Sequence, residues 1–426
     1  MTGAGRAPVV VVIGRYPLVT TTFVDREILA LRRRGLDVDV IALRRPPDDM
    51  PLSDEQCVLR RDVDYVLPVR WWHLPVAHLT FVLARPRAYV RALRFLLTRP
   101  HPSPKARART VLHFGEGVMV AWRLRRRAPR ELYAHFADRA AIVALVAGRL
   151  LGCPYSLSIH AGADIFVHPV LLPEKIGQAR CVVTCTETNR SAITSIVGSS
   201  LGNKVVPVRH GLPLGRYQPA ALDRNGDAPP LLLAVGQLRE KKGFVHLVAA
   251  CEMLRARGVP FRCRIIGEGP QRDELEAMIR DARLEDTVEL PGALPHDDVV
   301  AWYERASVFV LPCITTPDGQ VDGIPNVVPE AMAMGVPIVS SDLPAQRELV
   351  TDEVDGLLVP SGDAGALADA VERVLRDPGL AAALAAAGRE AVLQRFDVEA
   401  NVDHLVRVLW PEQLDHHVHL DERVAG

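Results

Sequence analysis

The 426-residue chain carries no net charge, with 51 Lys and Arg against 51 Asp and Glu. A globally basic nucleic-acid binder is thereby excluded. No CxxC pair occurs, and the seven cysteines (Cys57, Cys153, Cys181, Cys185, Cys251, Cys263 and Cys313) are odd in number and scattered. A disulfide mini-protein is excluded too, and reduced, mostly buried thiols of a cytoplasmic protein are expected. The N-terminal stretch MTGAGRAPVVVVIGRYP has no long apolar core, so no secretory signal is expected. The best apolar helical run, Ala140 to Gly148, is stopped by Arg149 and is far too short to cross a bilayer. What remains is 48% hydrophobic and 24% charged, which excludes a disordered chain. At roughly 100–200 residues per domain, two to three domains are expected.

The periodicity predicts a series of β-loop-α-β units. Val9 to Ile13 is a continuous β-branched run, suited to a strand buried on both faces. Gly14 ends it, Phe23 to Arg34 reads as a helix, and Val38 to Leu43 alternates into a second strand. Leu132 to Phe136 (strand), Ala140 to Leu151 (helix), Tyr155 to His160 (strand) and Cys181 to Thr184 (strand) continue the pattern. GRYQPAALDRNGDAPP, Gly215 to Pro230, has no apolar period and reads as a linker. A second α/β series begins at Leu231 to Val235 and runs through strands Phe261 to Ile266, Val308 to Leu311 and Pro337 to Ser340. Helices are expected at Val245 to Arg255, Glu274 to Arg283, Val327 to Met334, Ala364 to Arg376 and Leu380 to Arg395. The fold class is α/β, with two doubly wound parallel sheets whose strand C-termini would face a shared interdomain cleft. The expected domains are 1–214, 231–395 and a C-terminal helix and tail at 396–426, packing back on the first.

Two windows carry the chemistry. In DGIPNVVPE, Asp322 is followed by Gly323 and Pro325, and by Glu330 eight positions on. Asn326 to Glu330 should open a helix whose first N–H groups, at Asn326 and Val327, suit a diphosphate. Gly323 and Pro325 let the backbone bend around a ligand, and Glu330 can accept from the vicinal diol of a ribose. The bland alternative is a pair of solvated carboxylates. In GQLREKKGF, Gly236 to Phe244, Lys242 follows a buried strand and can meet phosphate oxygens as a point charge. Its alternative is a solvated Lys-Arg turn. The string is neither GxxxxGK(S/T) nor GxGxxG, so neither an NTPase nor a dinucleotide enzyme is suggested.

These segments resemble the retaining glycosyltransferases of family 4, which have the GT-B fold of two Rossmann-like domains. DGIPNVVPE looks like the family's E-x7-E nucleotide-sugar motif, and GEGPQRDELE, Gly267 to Glu276, looks like its G-x-G-P segment, placing Glu268 on the donor side. LPHDDVVAWYERASVFVLPC and GVPIVSSDLPAQRELV are also similar to the family. RYPLVTTTFVDREILALRRRG, with Thr20, Thr22 and Phe23, resembles the opening of exopolysaccharide-type members, the colanic-acid enzymes among them. YAHF and SIHAGADIF are similar to their HAHF and TAHGxDIF elements, and VRHGLP to a V-x-H/N-G segment before the linker. The resemblance implies catalytic roles for His160, Lys242, Asp322 and Glu330. It implies donor contacts at Gly14, Gln237, Arg239, Glu268, Gly323, Pro325, Asn326 and Val327. Thr20, Thr22, His135 and Asp164 fall on the acceptor side. His160 also stands out by itself, at the end of a predicted strand; a His there can donate to sugar or phosphate, or accept from a hydroxyl. His135 is open between supporting the site and touching ligand. Two departures stand out: Asp322 is one methylene shorter than Glu, and Gln237 replaces a common phosphate-binding Arg, with Arg239 nearby.

The implied reaction moves a sugar from a nucleoside diphosphate sugar to a hydroxyl of a saccharide or lipid-linked acceptor, keeping the anomeric configuration. The route is front-face, with no protein nucleophile, cofactor or metal expected. The alternatives are another GT-B enzyme (an epimerase or inverting transferase) and a non-catalytic membrane-associated assembly subunit. Arg70 to Arg130 holds 14 basic residues and one acid, Glu116, leaving a balance of −13 elsewhere. With Trp71, Trp72, Phe81, Tyr89, Phe95 and Trp122 among them, an Arg-rich helix there suits an anionic membrane surface; the alternative is a solvated helical face. The expected location is cytoplasmic, peripheral on the inner face of the membrane, with no nucleic acid as partner. HHVH, His416 to His419, reads as a solvated tail.

Overall fold

A computed structural model describes residues 7–160, 165, 170–219 and 229–413. They form two compact units: residues 1–50, 54–209 and 399–426 cluster in one, and 51–53 with 210–398 in the other.

The first unit is built on a seven-stranded sheet. Its strands are β1 (Val9–Arg15), β2 (Val38–Arg44), β3 (Val63–Tyr65), β4 (Glu131–His135), β5 (Tyr155–Ile159), β6 (Val182–Thr184) and β7 (Val205–Pro207). They lie in the order β3-β2-β1-β4-β5-β6-β7. Every pairing is parallel, with Val9 to Val12 held between Val38 to Ile41 and Glu131 to Ala134. The β-branched run of β1 is buried throughout, as a central parallel strand covered on both faces must be. Helix Arg139–Leu151 covers β1, β4 and β5, and nearly all its residues are buried, which accounts for its unbroken apolar composition. Asp138 caps it through Oδ1 to the Ala140 N–H at 2.9 Å.

The second unit is built on a six-stranded sheet: β8 (Leu231–Val235), β9 (Arg262–Ile266), β10 (Val288–Gly292), β11 (Val308–Leu311), β12 (Ile338–Ser341) and β13 (Leu357–Val359), in the order β10-β9-β8-β11-β12-β13. All its pairings are parallel as well. The doubly wound α/β class expected from periodicity is therefore the architecture of both units.

The differences are local. Four strands had no counterpart in the sequence reading: β3, β7, β10 and β13. Each lies at the edge of its sheet. Edge strands are short and half-covered, so no sustained apolar run announces them. The single Arg-rich helix expected within Arg70 to Arg130 is instead three helices, His73–Ala84, Pro86–Thr98 and Pro104–Leu124. Pro86 and Pro104 each open a new helix, where a missing N–H costs nothing. The division between units falls after Arg209 rather than after Leu214. Tyr217, within the expected linker, is buried with its hydroxyl 2.9 Å from His296 Nε2. Helix Val398–Leu409 begins at the boundary, and from Glu399 on the chain belongs to the first unit. There Arg34 pairs with Glu399 and Asp403, and the Trp410 Nε1–H donates to Glu131 Oε2 at 2.7 Å. His416 to His419 lie outside the described residues.

Candidate functional site

In an open parallel sheet, ligands gather at the strand C-termini where the strand order reverses. In the second sheet that point lies between β8 and β11. The loops leaving these strands run from Gly236 to Gly243 and from Pro312 toward Asn326. Two glycines let the backbones close on one another. Gly243 has φ +67°, and a Cβ there would lie 1.8 Å from the Pro312 carbonyl oxygen. A Cβ on Gly267 would lie 1.8 Å from the Gly236 oxygen, which is why the loop after β9 needs its G-x-G.

The closed loops bring three charges together, two half-buried lysines around buried Asp322. Asp322 Oδ1 is 2.5 Å from Lys241 Nζ, and Oδ2 is 2.5 Å from Lys242 Nζ. The Cys313 thiol lies 3.7 Å from Oδ2. Burial opposes ionisation of Asp322, but the two ammonium groups outweigh it and hold the carboxyl far below the usual range. Burial likewise works against the Lys242 charge, and Asp322 reverses it, raising the ammonium above its ordinary value. Burial, and then Asp322, push the Cys313 thiol up to about 12. The cluster holds two positive charges against one negative, a net excess suited to an anion.

Glu330 is buried one turn into helix Val327–Ala333, where the Tyr303 hydroxyl donates to its Oε2 at 3.1 Å. Asn326 precedes that helix, with Oδ1 3.1 Å from His210 Nδ1. Gly323 and Pro325 are buried, and Asn326 and Val327 half-buried. Gln237 and Arg239 are exposed on the loop after β8. Glu268 is engaged by Arg272 at 2.7 Å. Lys241, Tyr303 and His210 were not singled out from the sequence. Lys241 was adjacent to the residue chosen, and only the fold reveals that both ammonium groups reach one carboxylate.

In the first sheet the order reverses between β1 and β4. Gly14, near the end of β1, faces the Asp138 carboxylate, which a Cβ would meet at 3.6 Å. His135 ends β4, and His160 follows β5 rather than ending it. The two imidazole planes are 6° from parallel with centroids 5.1 Å apart, and His135 Nδ1 and His160 Nε2 are 2.9 Å apart. His135 is fully buried, and His160 nearly so. Its Nε2 lies 3.3 Å from Glu27 Oε1, on helix Thr22–Arg33. Phe23 and Phe136 pack on the His160 ring at 4.7 and 5.0 Å. The His160 carbonyl accepts from the Cys185 thiol and the Asn189 amide. Thr20 is exposed and Thr22, opening the helix, half-buried; Asp164 lies outside the described residues. Among the described residues no cluster of three His, Cys, Asp or Glu could hold a metal ion.

Two Rossmann-like units of this kind define the GT-B class. A family model described as Glycosyl transferases group 1 matches residues 223–391. The chain is 38% identical over 198 residues to a putative colanic acid biosynthesis glycosyltransferase, WcaL, of Salmonella typhimurium, covering 46% of this chain and 48% of that protein. The chain thus spans about half the length of this relative. It is 30% identical over 322 residues to a GDP-mannose-dependent alpha-(1-6)-phosphatidylinositol monomannoside mannosyltransferase of Mycobacterium tuberculosis, covering 72% of this chain and 81% of that one. Among solved structures, Anabaena Alr3699/HepE in complex with UDP and glucose matches with a TM-score of 0.68 at 16% identity, over 94% of this chain and 98% of that one, a likeness of fold. The chain belongs to the group 1 glycosyl transferases.

Proposed function

We propose that the protein is a retaining glycosyltransferase that moves a sugar from a nucleoside diphosphate sugar to a hydroxyl of a saccharide or lipid-linked acceptor, in exopolysaccharide or glycolipid assembly. The observation that carries this is the Lys241–Asp322–Lys242 cluster at the switch point of the second sheet, with Glu330 one turn into the following helix. Relatives named for colanic acid assembly and a fold neighbour holding UDP and glucose support the reading. When the bond to the anomeric carbon breaks, negative charge develops on the leaving diphosphate. Preorganised cations aimed at that charge are usually the largest catalytic contribution. Lys242 takes this role, aided by Lys241 and by the N–H groups of Asn326 and Val327. Asp322 holds the ammonium groups and turns toward sugar hydroxyls; Glu330 accepts from the ribose; His160 acts on the sugar near the reacting carbon. In the front-face route a phosphate oxygen takes the acceptor proton, so no protein nucleophile is required.

Donors are to be screened by thermal shift, where a ligand at 100 times its Kd stabilises by about 2.7 kcal/mol. With the selected donor, Lys242→Ala and Glu330→Ala should each lower kcat/KM at least tenfold, about 1.4 kcal/mol. Wild-type turnover in both sinks the assignment. NMR of the product linkage tests retention.

The acceptor side carries a second proposal, an anionic membrane surface. Leu79, Leu83, Val90 and Leu112 are exposed on the three helices of Arg70 to Arg130, and Trp71 in the turn before the first, among exposed arginines such as Arg87, Arg91, Arg94 and Arg109. Apolar side chains interspersed with cations suit a negative lipid surface. Three of the basic residues are neutralised within the unit: Arg123 by Asp64, Arg127 by Asp39 and Arg130 by Glu412. No helix among the described residues is long and apolar enough to cross a membrane. Flotation with vesicles containing phosphatidylglycerol at low salt is the expected positive result; no flotation removes this partner.

A further inference from the structure

We propose that a cavity at the N-terminal ends of β4 and β5 binds the phosphodiester headgroup of an anionic phospholipid, with Arg85 and Arg125 taking the phosphate and the acyl chains lying along Leu79 and Leu83. The proposal rests on the reading of the helices within Arg70 to Arg130 as a membrane face, and gives that face one stoichiometric lipid site. The cavity measures about 400 Å³, toward the small end of ligand sites, which run from about 300 to 1,000 Å³. Ala128 and Pro129 border it on the way into β4, and Gly152 and Cys153 on the way into β5. Strands of a parallel sheet point one way, so this is the end of the sheet opposite His135 and His160.

Charge comes first. Arg85 and Arg125 line the cavity, and no Asp or Glu does. Arg85 Nη1 donates to the Leu150 and Leu151 carbonyls at 3.0 and 2.7 Å, at the end of helix Arg139–Leu151. Arg125 Nη1 donates to the Trp122 carbonyl, and its guanidinium lies over the Trp122 ring, 4.4 Å from the centroid. Each guanidinium is thus held through one nitrogen by backbone oxygens, and among the described residues neither pairs with a carboxylate. Their neighbours Arg123, Arg127 and Arg130 are, by contrast, neutralised by Asp64, Asp39 and Glu412. Capping the helix engages only Nη1 of Arg85, so Nε and Nη2 of both arginines are left for the planar, two-pronged contact that suits phosphate oxygens. Burial pushes the bordering Cys153 thiol up to about 11, so it stays protonated at neutral pH and adds no negative charge. Position then selects a lipid over a free phosphate. Thr80 and Ala84 border the cavity from one ridge of helix His73–Ala84, four residues apart. Leu79 and Leu83 form the ridge beside it and are 57% and 72% exposed. A free anion has no use for an apolar ridge at its side, whereas a phosphate ester carrying acyl chains covers it.

The test is titration calorimetry of the full chain with dihexanoylphosphatidylglycerol below its micellar concentration, beside glycerol 3-phosphate and inorganic phosphate. The short-chain lipid should bind one to one, and about tenfold or more tighter than either water-soluble phosphate, through its buried acyl methylenes. Equal affinity for glycerol 3-phosphate makes the cavity a site for free phosphate esters and overturns the lipid assignment; no saturable lipid binding overturns the site. Arg85→Gln and Arg125→Gln should each weaken lipid binding about tenfold, the loss of a charge-assisted contact. Arg126→Gln removes the same charge one residue away, outside the cavity, and should leave binding unchanged. Equal weakening in Arg125→Gln and Arg126→Gln means diffuse surface charge and overturns the proposal. Arg85→Gln also trims a helix cap. Should it not fold, Thr80→Trp fills the cavity from a helix surface without altering charge, and wild-type lipid affinity there overturns the proposal equally. The reading beneath it fails separately: absence of flotation on phosphatidylglycerol vesicles removes the membrane face, whereas flotation without saturable short-chain binding removes only the cavity.

Discussion

The charge count in the second unit's cluster makes an asymmetric prediction. Lys241, Lys242 and Asp322 together carry +1; Asp322→Asn raises this to +2 and Lys242→Met lowers it to 0. Each contact is 2.5 Å, which at an effective dielectric of ~20 corresponds to about 7 kcal/mol of gross attraction. Desolvation of the buried charges cancels most of this, and removing one partner of a buried pair costs about 3–5 kcal/mol. Asp322→Asn leaves two ammonium groups without their carboxylate and falls in that range. Lys242→Met leaves Asp322 still paired with Lys241 and should cost less, about 2 kcal/mol. Both variants are less stable, yet their affinities for a nucleoside diphosphate move in opposite directions. The freed lysines of Asp322→Asn should bind the diphosphate at least tenfold more tightly, and Lys242→Met at least tenfold less. Turnover should fall in both. Titration calorimetry with UDP and GDP measures the affinities, and urea unfolding with and without ligand measures stability. Equal weakening of diphosphate binding in the two variants refutes the electrostatic account of the cluster.

The same cluster sets a pH window. The Asp322 carboxyl is depressed in the folded state, so its contribution is present above its unfolded pKa of about 3.9 and lost as pH falls through the lower folded value. Lys242 is raised, so its contribution is present below about 10.4 and lost only as pH rises through the higher folded value. Any activity limb between about pH 5 and 9 should therefore survive in Lys242→Met, and its loss there would contradict this assignment. The Cys313 thiol, pushed up to about 12, should resist iodoacetamide at pH 8 under conditions that label exposed Cys57; labelling of Cys313 in the native protein counts against the buried cluster. Gly243→Ala forces a side chain at φ +67° against the Pro312 carbonyl and should destabilise the second unit by at least about 2 kcal/mol, read as a lower Tm. Trp410→Phe removes the indole donor from buried Glu131 and should cost about 1.5 kcal/mol in urea unfolding; no loss would mean the C-terminal helix is not held by that bond.

The sequence announced what is buried on both faces and stayed silent about what is not. β1, β8 and β11 were readable because a central parallel strand must be apolar at every position. The four edge strands were not, since the same sheets demand little of them. The candidate site divided along a similar line. Asp322 and Glu330 were legible because a fixed spacing places one carboxylate on a loop and the other one turn into a helix. Lys241 was not, because two adjacent lysines in a turn point anywhere until Gly243 brings the loop against Pro312. Glu27 was hidden for a different reason. It lies in a helix whose neighbours Asp25 and Arg26 are charged too, and nothing local distinguishes it. Its contact with His135 exists only because β1 and β4 are neighbours, which sets the helix after one strand against the end of the other.

That adjacency has a mechanistic consequence. In both sheets the strand order reverses beside the first strand of the unit, between β1 and β4 and between β8 and β11. At each reversal two loops diverge and leave room that helices do not fill. Each unit then places an acidic side chain in contact with basic groups at or beside that reversal: Asp322 against two lysines, Glu27 behind two histidines. The first arrangement keeps permanent positive charge in place across the whole neutral range. The second sets a carboxylate 3.3 Å from one of two histidines whose facing nitrogens are 2.9 Å apart. The proposed transfer would use the first for its diphosphate leaving group, because a histidine in that place would lose its charge as pH rises through neutrality, whereas a lysine keeps it.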